Sequence, residues 1–176
     1  MNYLYHWVPK NMQGEVLYPL NKLKEIYPDV YKEHVLKYEG REKVMDQRIP
    51  SLNCLWNDVL HFSAVHPSLI KQALVQAGRT EPFDIEYFEI DPHLLDPNNT
   101  IVYLYKHQNI LNKFDDDNFT IYDPDNIAQY SEVPQLTKDY YTEMIREGKK
   151  PLHYHMVPHI LYKGPLNVNG AKHITV

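Results

Sequence analysis

Thirteen prolines divide this chain into short segments, and this division limits the folds that the sequence can form. Proline fixes its own backbone angle and lacks a backbone N–H, so it favours turns and the ends of helices and strands. Between the prolines, patterns typical of strands and of helices follow one another in an irregular order. A doubly wound sheet would need a regular alternation of the two. The sequence therefore predicts an α+β domain.

Alternating or continuous apolar patterns predict β-strands in four segments, which are residues 2–8, 58–65, 83–90 and 100–105. Helical spacing predicts helices in four others, which are residues 20–26, 29–39, 67–78 and 138–147. In the second of these helices the spacing places Leu36 inward and the lysines and glutamates outward. Thr137 is expected to cap the fourth helix. The tail from 152 to 176 is expected to be extended, with breaks at Pro158, Gly164, Pro165 and Gly170.

Length and charge restrict the class of protein. A chain of 176 residues suits one hydrophobic core, so residues 1–176 are predicted to form a single domain. A formal net charge of −5 argues against an extended nucleic-acid surface. The sequence has no apolar run long enough to span a bilayer, and its first residues lack a secretory pattern. We expect a cytoplasmic protein without a membrane partner, while any protein partner stays open.

Cysteine and acidic residues indicate structural roles. The single cysteine, Cys54, excludes an internal disulfide and a metal site of several cysteines. Its apolar flank predicts a buried structural thiol. The acidic run at 115–118 has the composition of a calcium loop, but it lacks the mid-loop glycine and the terminal glutamate of such loops. We expect a solvated loop there.

Three histidines, His6, His61 and His159, lie in apolar segments of strand type. Histidine can donate, accept or carry a proton near neutral pH. Ser63 follows His61 by two residues, so a strand would place both side chains on one face. An imidazole and a hydroxyl that face one space can hold a ribose hydroxyl, a phosphate oxygen or a carboxylate. The pattern predicts a polar pocket on rigid strands.

Two kinds of hydrolytic or acid–base site fit the sequence less well. A nucleophile at Ser63 would need the flanking glycines of a nucleophile elbow, but Phe62 and Ala64 stand there. Glu86 and Glu89 are separated by an odd number of residues, so a strand places them on opposite faces. They are therefore not expected to act as an acid–base pair.

A histidine metal site is a further alternative. In a strand, His153 and His155 would share a face, and His159 could add a third ligand after Pro158. No carboxylate or thiolate lies nearby in the sequence to complete the coordination. We expect no metal cofactor, and zinc remains the third-ranked hypothesis.

The order of the motifs carries a family resemblance. Leu-Tyr-His at 4–6, Leu-His-Phe-Ser at 60–63 and Tyr-Phe-Glu-Ile-Asp-Pro at 87–92 follow one another, and Pro-His-Ile-Leu-Tyr at 158–162 precedes Gly-Pro-Leu at 164–166. In this order they resemble the ADP-ribosyltransferase-like fold. Within it, the chain is similar to RNA 2′-phosphotransferases and to a small bacterial family of uncharacterised domains.

The resemblance implies a split, two-sheet β core around a cleft with flanking helices, which binds NAD or an ADP-ribose-like nucleotide. It implies that His6 holds a ribose hydroxyl, and that His61, with Ser63 beside it, lies near the nicotinamide ribose or a phosphate. His159 would lie on a late strand, with Tyr162 as a further nucleotide contact. His6, His61 and His159 are the implied catalytic residues, and NAD is the suspected substrate.

The implied reaction is loss of nicotinamide through a cation-like sugar transition state, which a site promotes by positioning and by stabilising charge. Many ADP-ribosyltransferases carry a late-strand glutamate, to which this chain has no clear match. A neutral histidine cannot fully replace that acid. The second hypothesis is therefore a binding module without chemistry, in which tyrosine-rich strands, Trp7 and Trp56 line a groove for a small molecule or a partner chain.

Overall fold

The computed structural model describes residues 2–105 and 114–176. In this part of the chain, helices and several small sheets alternate irregularly, and the predicted α+β class is confirmed. The strands are β1 Leu4–Trp7, β2 Val16–Leu17, β3 Arg48–Ile49, β4 Cys54–Leu55, β5 Leu60–Phe62, β6 Glu86–Ile90, β7 Thr100–Tyr103, β8 Phe119–Ile121, β9 His159–Tyr162, β10 Leu166–Asn167 and β11 Lys172–Thr175. The helices are α1 Leu20–Ile26, α2 Pro28–Val35, α3 Pro67–Gln76 and α4 Gln135–Arg146.

Two antiparallel sheets form the centre of the structure. The first has the order β1-β6-β11, and the second has the order β5-β9-β7-β8. Within the described residues, one backbone bridge joins them: the N–H of Tyr5 donates to the Ser63 carbonyl at 2.8 Å, and the N–H of Ser63 donates to the Tyr5 carbonyl at 3.1 Å. The sheets therefore meet at the edge strands β1 and β5.

Apolar side chains from both sheets share one core. Its buried members include Leu4, Phe62, Phe88, Val102 and Ile160. A second cluster lies under the other face of β7 and β9 and contains Trp56, Tyr103 and Leu161, among others. α3 and α4 pack against each other and contribute to a third cluster. Among the described helices, none has the length and apolar character that crossing a bilayer requires.

Local sequence signals explain where α2 and α3 begin and where α3 ends. Pro28 and Pro67 occupy the first turns of α2 and α3, where the missing N–H costs nothing. The His66 side chain accepts a hydrogen bond from the Ser68 N–H at 3.1 Å and so caps α3. Gly78 follows α3 with a φ of +105°, a conformation that favours glycine.

The second predicted helix is wrong in its last turn. The chain tightens into a 3₁₀ turn at Leu36–Tyr38, which has three residues per turn instead of 3.6. The change rotates the inward face, so Tyr38 is buried, while Leu36 is 64% exposed. Leu36 therefore does not face inward as predicted.

Two further predictions are wrong at the C-terminal end. α4 begins at Gln135, so Thr137 lies within the helix and its hydroxyl donates to the His155 carbonyl at 3.0 Å instead of capping. Residues 153–156 form turns, so His153 and His155 do not lie on a common strand face. From Pro158 onward the tail follows the prediction, since β9, β10 and β11 are separated at Gly164, Pro165 and Gly170.

Replacing Leu161 with alanine should lower the free energy of unfolding by about 2–5 kcal/mol, because it removes a fully buried side chain from the central strand β9. The matched control is Leu94→Ala, since Leu94 is 58% exposed and its replacement should cost well under 1 kcal/mol. Urea denaturation measures both values. Equal losses in the two variants would contradict this description of the core.

Candidate ligand-binding site

A cavity of about 740 Å³ is lined by both central sheets and by the segment that contains α1 and α2. His6, His61, Ser63 and His159 all line it, from strands β1, β5 and β9 or directly after them. Four of the five residues that the sequence suggested as site residues therefore meet at one cavity. Tyr162 is not among the lining residues.

His61 and His159 come together because β5 and β9 pair antiparallel. Leu161 lies opposite His61, and residues two apart on a strand share a face, so His159 projects on the same side as His61. Their ring centroids are 5.9 Å apart. Both rings pack on Trp56, at centroid distances of 4.5 Å and 6.0 Å. An indole thus forms a common support for the two imidazoles.

Trp56 is the first residue of a short 3₁₀ turn that holds its side chain in place. The carboxylate of Asp58 accepts a hydrogen bond from the Leu55 N–H at 2.7 Å and caps the 3₁₀ turn Trp56–Asp58. The buried Trp56 ring then packs on Tyr103 and Phe114 at 5.5 Å and 5.1 Å. From the sequence, Trp56 is expected only to line a groove, since no motif near it indicates that it supports the histidines.

His6 and Ser63 lie at the junction of the two sheets. His6 is 9% exposed, and its ring lies 5.3 Å from that of Phe62. The Ser63 hydroxyl accepts a hydrogen bond from the Val65 N–H at 3.1 Å, while the Ser63 backbone pairs with Tyr5. Ser63 therefore supports the junction, and its hydroxyl proton remains available to donate.

Backbone carbonyls determine which nitrogen of each imidazole carries the proton, since a carbonyl can only accept. Nδ1 of His6 donates to the Trp7 carbonyl at 2.6 Å, and Nδ1 of His159 donates to the Val157 carbonyl at 2.7 Å. Nε2 of His61 donates to the Trp56 carbonyl at 2.9 Å. The remaining nitrogen of each ring is a hydrogen-bond acceptor, and no described residue donates to it.

Burial keeps the three imidazoles neutral. Loss of solvation lowers the pKa of His6 and of His159 to about 4. It also holds the pKa of His61 well below the ordinary value, with smaller contributions from the nearby His159 and Lys37. At neutral pH the site therefore presents three acceptors and no imidazolium charge.

Tyr162 faces away from the cavity because its separation from His159 is odd, which places the two side chains on opposite faces of β9. Its ring packs against the first core cluster and covers Gly164, where an added Cβ would lie 3.1 Å from the tyrosine hydroxyl. The suggestion that Tyr162 contacts a ligand in this cavity does not agree with this placement.

Charged residues in the described lining are positive only. Lys37 and Arg41 line the cavity, and no Asp or Glu does so within residues 2–105 and 114–176. Glu89 pairs with Lys172 at 3.1 Å, and Glu86 is exposed outside the cavity. Lys37 and Arg41 are not among the predicted site residues. Lys37 falls in the second predicted helix, where lysines are expected to face solvent, and Arg41 lies beyond that helix, where no local pattern indicates a site.

His153 and His155, which belong to the alternative metal-site hypothesis, also line the cavity but have separate partners. The Arg79 guanidinium donates to Nε2 of His153 at 3.1 Å, and the His155 ring packs on Tyr140 at 4.3 Å. Within the described residues, no three side chains of His, Cys, Asp or Glu form a group that could hold a metal ion.

One wall of the cavity has a strained backbone. Tyr105 lines the cavity with a φ of +46°, which is uncommon for a bulky residue. Its ring lies 5.2 Å from that of His159 and 4.4 Å from that of Tyr103. Such a conformation costs on the order of 1–3 kcal/mol and persists only where packing determines it, as the aromatic contacts do here.

Comparisons with known proteins identify no relative: no protein-family model, no curated protein and no solved structure matches the chain.

NMR of the imidazole nitrogens should find His6 and His159 protonated on Nδ1 and His61 protonated on Nε2, because of the carbonyl partner of each ring. His6 and His159 should remain neutral down to about pH 5, and burial should also keep His61 neutral well below its usual pKa. His93 is the internal control: the nearby Asp91 and Asp125 raise its pKa, so it should gain a proton first. A charged His61 at pH 6 would contradict the assignment.

Acid should destabilise the protein before its carboxylates titrate. The folded-state pKa of His6 is depressed, so the unfolded chain takes up the proton first, and stability is lost as the pH falls from about 6.5 towards 4. Between pH 7 and pH 5, His6 alone should cost about 2 kcal/mol, with smaller losses from the partly exposed His61 and His159. Urea denaturation at several pH values measures this, and constant stability over that range would exclude it.

Proposed function

We propose that this protein binds NAD or an ADP-ribose-like nucleotide in the histidine-lined cavity, in an ADP-ribosyltransferase-like fold whose two sheets enclose the cleft. One observation carries the proposal. His6, His61 and His159 come from three strands that are distant in the sequence, and all three line a single aromatic cavity. This is the arrangement that the resemblance of the three motifs leads us to expect.

Size and composition of the cavity support a nucleotide ligand. Its volume of about 740 Å³ falls within the range of roughly 300–1,000 Å³ that is typical of small-molecule sites. Trp7, Tyr38, Trp56 and Tyr105 contribute aromatic surface to its walls. Aromatic side chains can stack on any nucleobase, since each base has a π-face. A purine or nicotinamide ring would therefore find apolar and stacking partners there.

Hydrogen-bonding groups in the cavity match the hydroxyls of a ribose. A sugar hydroxyl can donate to the free ring nitrogen of a neutral histidine, and the carbonyl that holds the opposite nitrogen keeps the ring in that orientation. A protonated imidazole would have no acceptor to offer. Burial, which keeps His6 and His61 neutral, therefore favours a hydroxyl-bearing ligand.

Binding, rather than transfer of ADP-ribose, is the function that we propose. Loss of nicotinamide places positive charge on the ribose, and stabilising that charge needs a nearby negative group. The described lining has none, while Lys37 and Arg41 add positive charge. A nicotinamide-release assay tests the transferase alternative directly, and steady release with NAD would assign catalysis as well as binding.

ADP-ribose and NAD should raise the melting temperature. At a concentration of 100 times Kd, a ligand that binds only the folded state adds about 2.7 kcal/mol, which corresponds to roughly 5–10 °C for a chain of this size. His61→Phe should reduce the shift strongly, because phenylalanine keeps a ring in place but offers no acceptor nitrogen. His93→Ala is the matched control, since the exposed His93 does not line the cavity.

Two results would contradict the proposal. One is that neither nucleotide changes the melting temperature at millimolar concentration. The other is that the His61 variant responds as strongly as the parent, in which case a nucleotide would bind elsewhere.

A further inference from the structure

Lys37 and Arg41 form a pair of neighbouring cations with no carboxylate partner among the described residues. Nη2 of Arg41 donates to the Lys37 carbonyl at 2.6 Å, which holds the two residues together. Both charges lie near the Tyr38 ring, with Nζ of Lys37 at 5.3 Å and the guanidinium carbon of Arg41 at 5.7 Å from its centroid. Five other lysines form ion pairs, namely Lys22, Lys32, Lys71, Lys149 and Lys172.

The two charges act on the interior of the cavity. The charge of Lys37 contributes to lowering the pKa of His6 and of His61, and that of Arg41 contributes to lowering the pKa of His155. Each of these effects requires the charges to be close to the rings. Burial, with a smaller contribution from Arg41, lowers the pKa of Lys37 to about 8, even though part of its side chain stays exposed. Like charges held together in this way favour an anion between them.

Asn57 adds a buried donor beside the cations. Its side chain lines the cavity and the residue is 2% exposed. Its Oδ1 accepts a hydrogen bond from the Tyr38 hydroxyl at 2.7 Å, while its Nδ2 has no hydrogen-bond partner among residues 2–105 and 114–176. A buried N–H without an acceptor is costly, so such a group commonly serves a ligand or an ordered water. The shared contact with Tyr38 places this donor next to the ring on which both cations lie.

We propose that Lys37, Arg41 and the Asn57 amide form a subsite for the diphosphate group of the ligand. Two cations held together by the Arg41–Lys37 hydrogen bond match the two linked negative charges of a diphosphate, and the amide donates to a third oxygen. The subsite deepens the proposed function and rests on it for the identity of the complete ligand.

Titration calorimetry with three probes tests this subsite. ADP-ribose carries the diphosphate, adenosine lacks it, and inorganic pyrophosphate consists of it alone. Lys37→Met and Arg41→Met should each weaken ADP-ribose and pyrophosphate binding on the order of 10- to 100-fold and leave adenosine binding unchanged. The control is Lys32→Met. It removes the same charge from the preceding helix α2, at a side chain that is 74% exposed and lies outside the cavity. It should change all three affinities less than twofold.

The outcomes separate this inference from the proposed function. If ADP-ribose binds and the two cavity variants behave like Lys32→Met, the subsite is wrong and nucleotide binding stands. If pyrophosphate binds in a manner that requires Lys37 and Arg41, while ADP-ribose and NAD do not bind, the subsite stands and the proposed ligand is wrong. Thermal melts without ligand show whether each variant is folded. Lys37→Arg and Arg41→Lys retain the charge and should keep most of the pyrophosphate affinity.

Discussion

Two backbone hydrogen bonds between Tyr5 and Ser63 hold the two central sheets together edge to edge and thereby position the site residues. They join two sheets that otherwise use different strands, and they do so at one point. His6 follows one partner of this bridge, and His61 precedes the other by two residues. The bridge therefore brings two distant imidazoles to one cavity, and the pairing of β5 with β9 adds His159.

Polarity in this cavity is provided mainly by the backbone and by neutral rings. Each imidazole donates to a backbone carbonyl, which offsets part of the cost of burying it and determines its tautomer. The only formal charges in the described lining, those of Lys37 and Arg41, are positive. A chain with a net charge of −5 thus encloses a local environment that favours an anion. The net charge of a chain influences which partners it attracts at long range, but it does not determine the charge inside one site.

Much of the secondary structure could be predicted, because periodic apolar segments such as those of α1, α3, β1 and β6 follow their local pattern. The failures occur where a tertiary contact overrides that pattern. Thr137 has a side chain suited to capping, but it lies within α4, and its hydroxyl donates to the carbonyl of the distant His155. Leu36 has helical spacing, but the 3₁₀ turn changes the phase. Tyr162 is a different case, because the alternation of side chains along β9 already places it on the opposite face from His159.

By itself, the sequence determined the α+β class, the apolar strands and the three histidines on or beside them, since these follow from residue type and spacing within a few residues. Only the tertiary structure decided that the histidines share a cavity and that Trp56 supports two of them. It also decided that Lys37 and Arg41 line the cavity. The physical reason is that strand pairing and burial depend on residues far apart in the chain. Solvation, and with it each pKa, depends on those same distant neighbours.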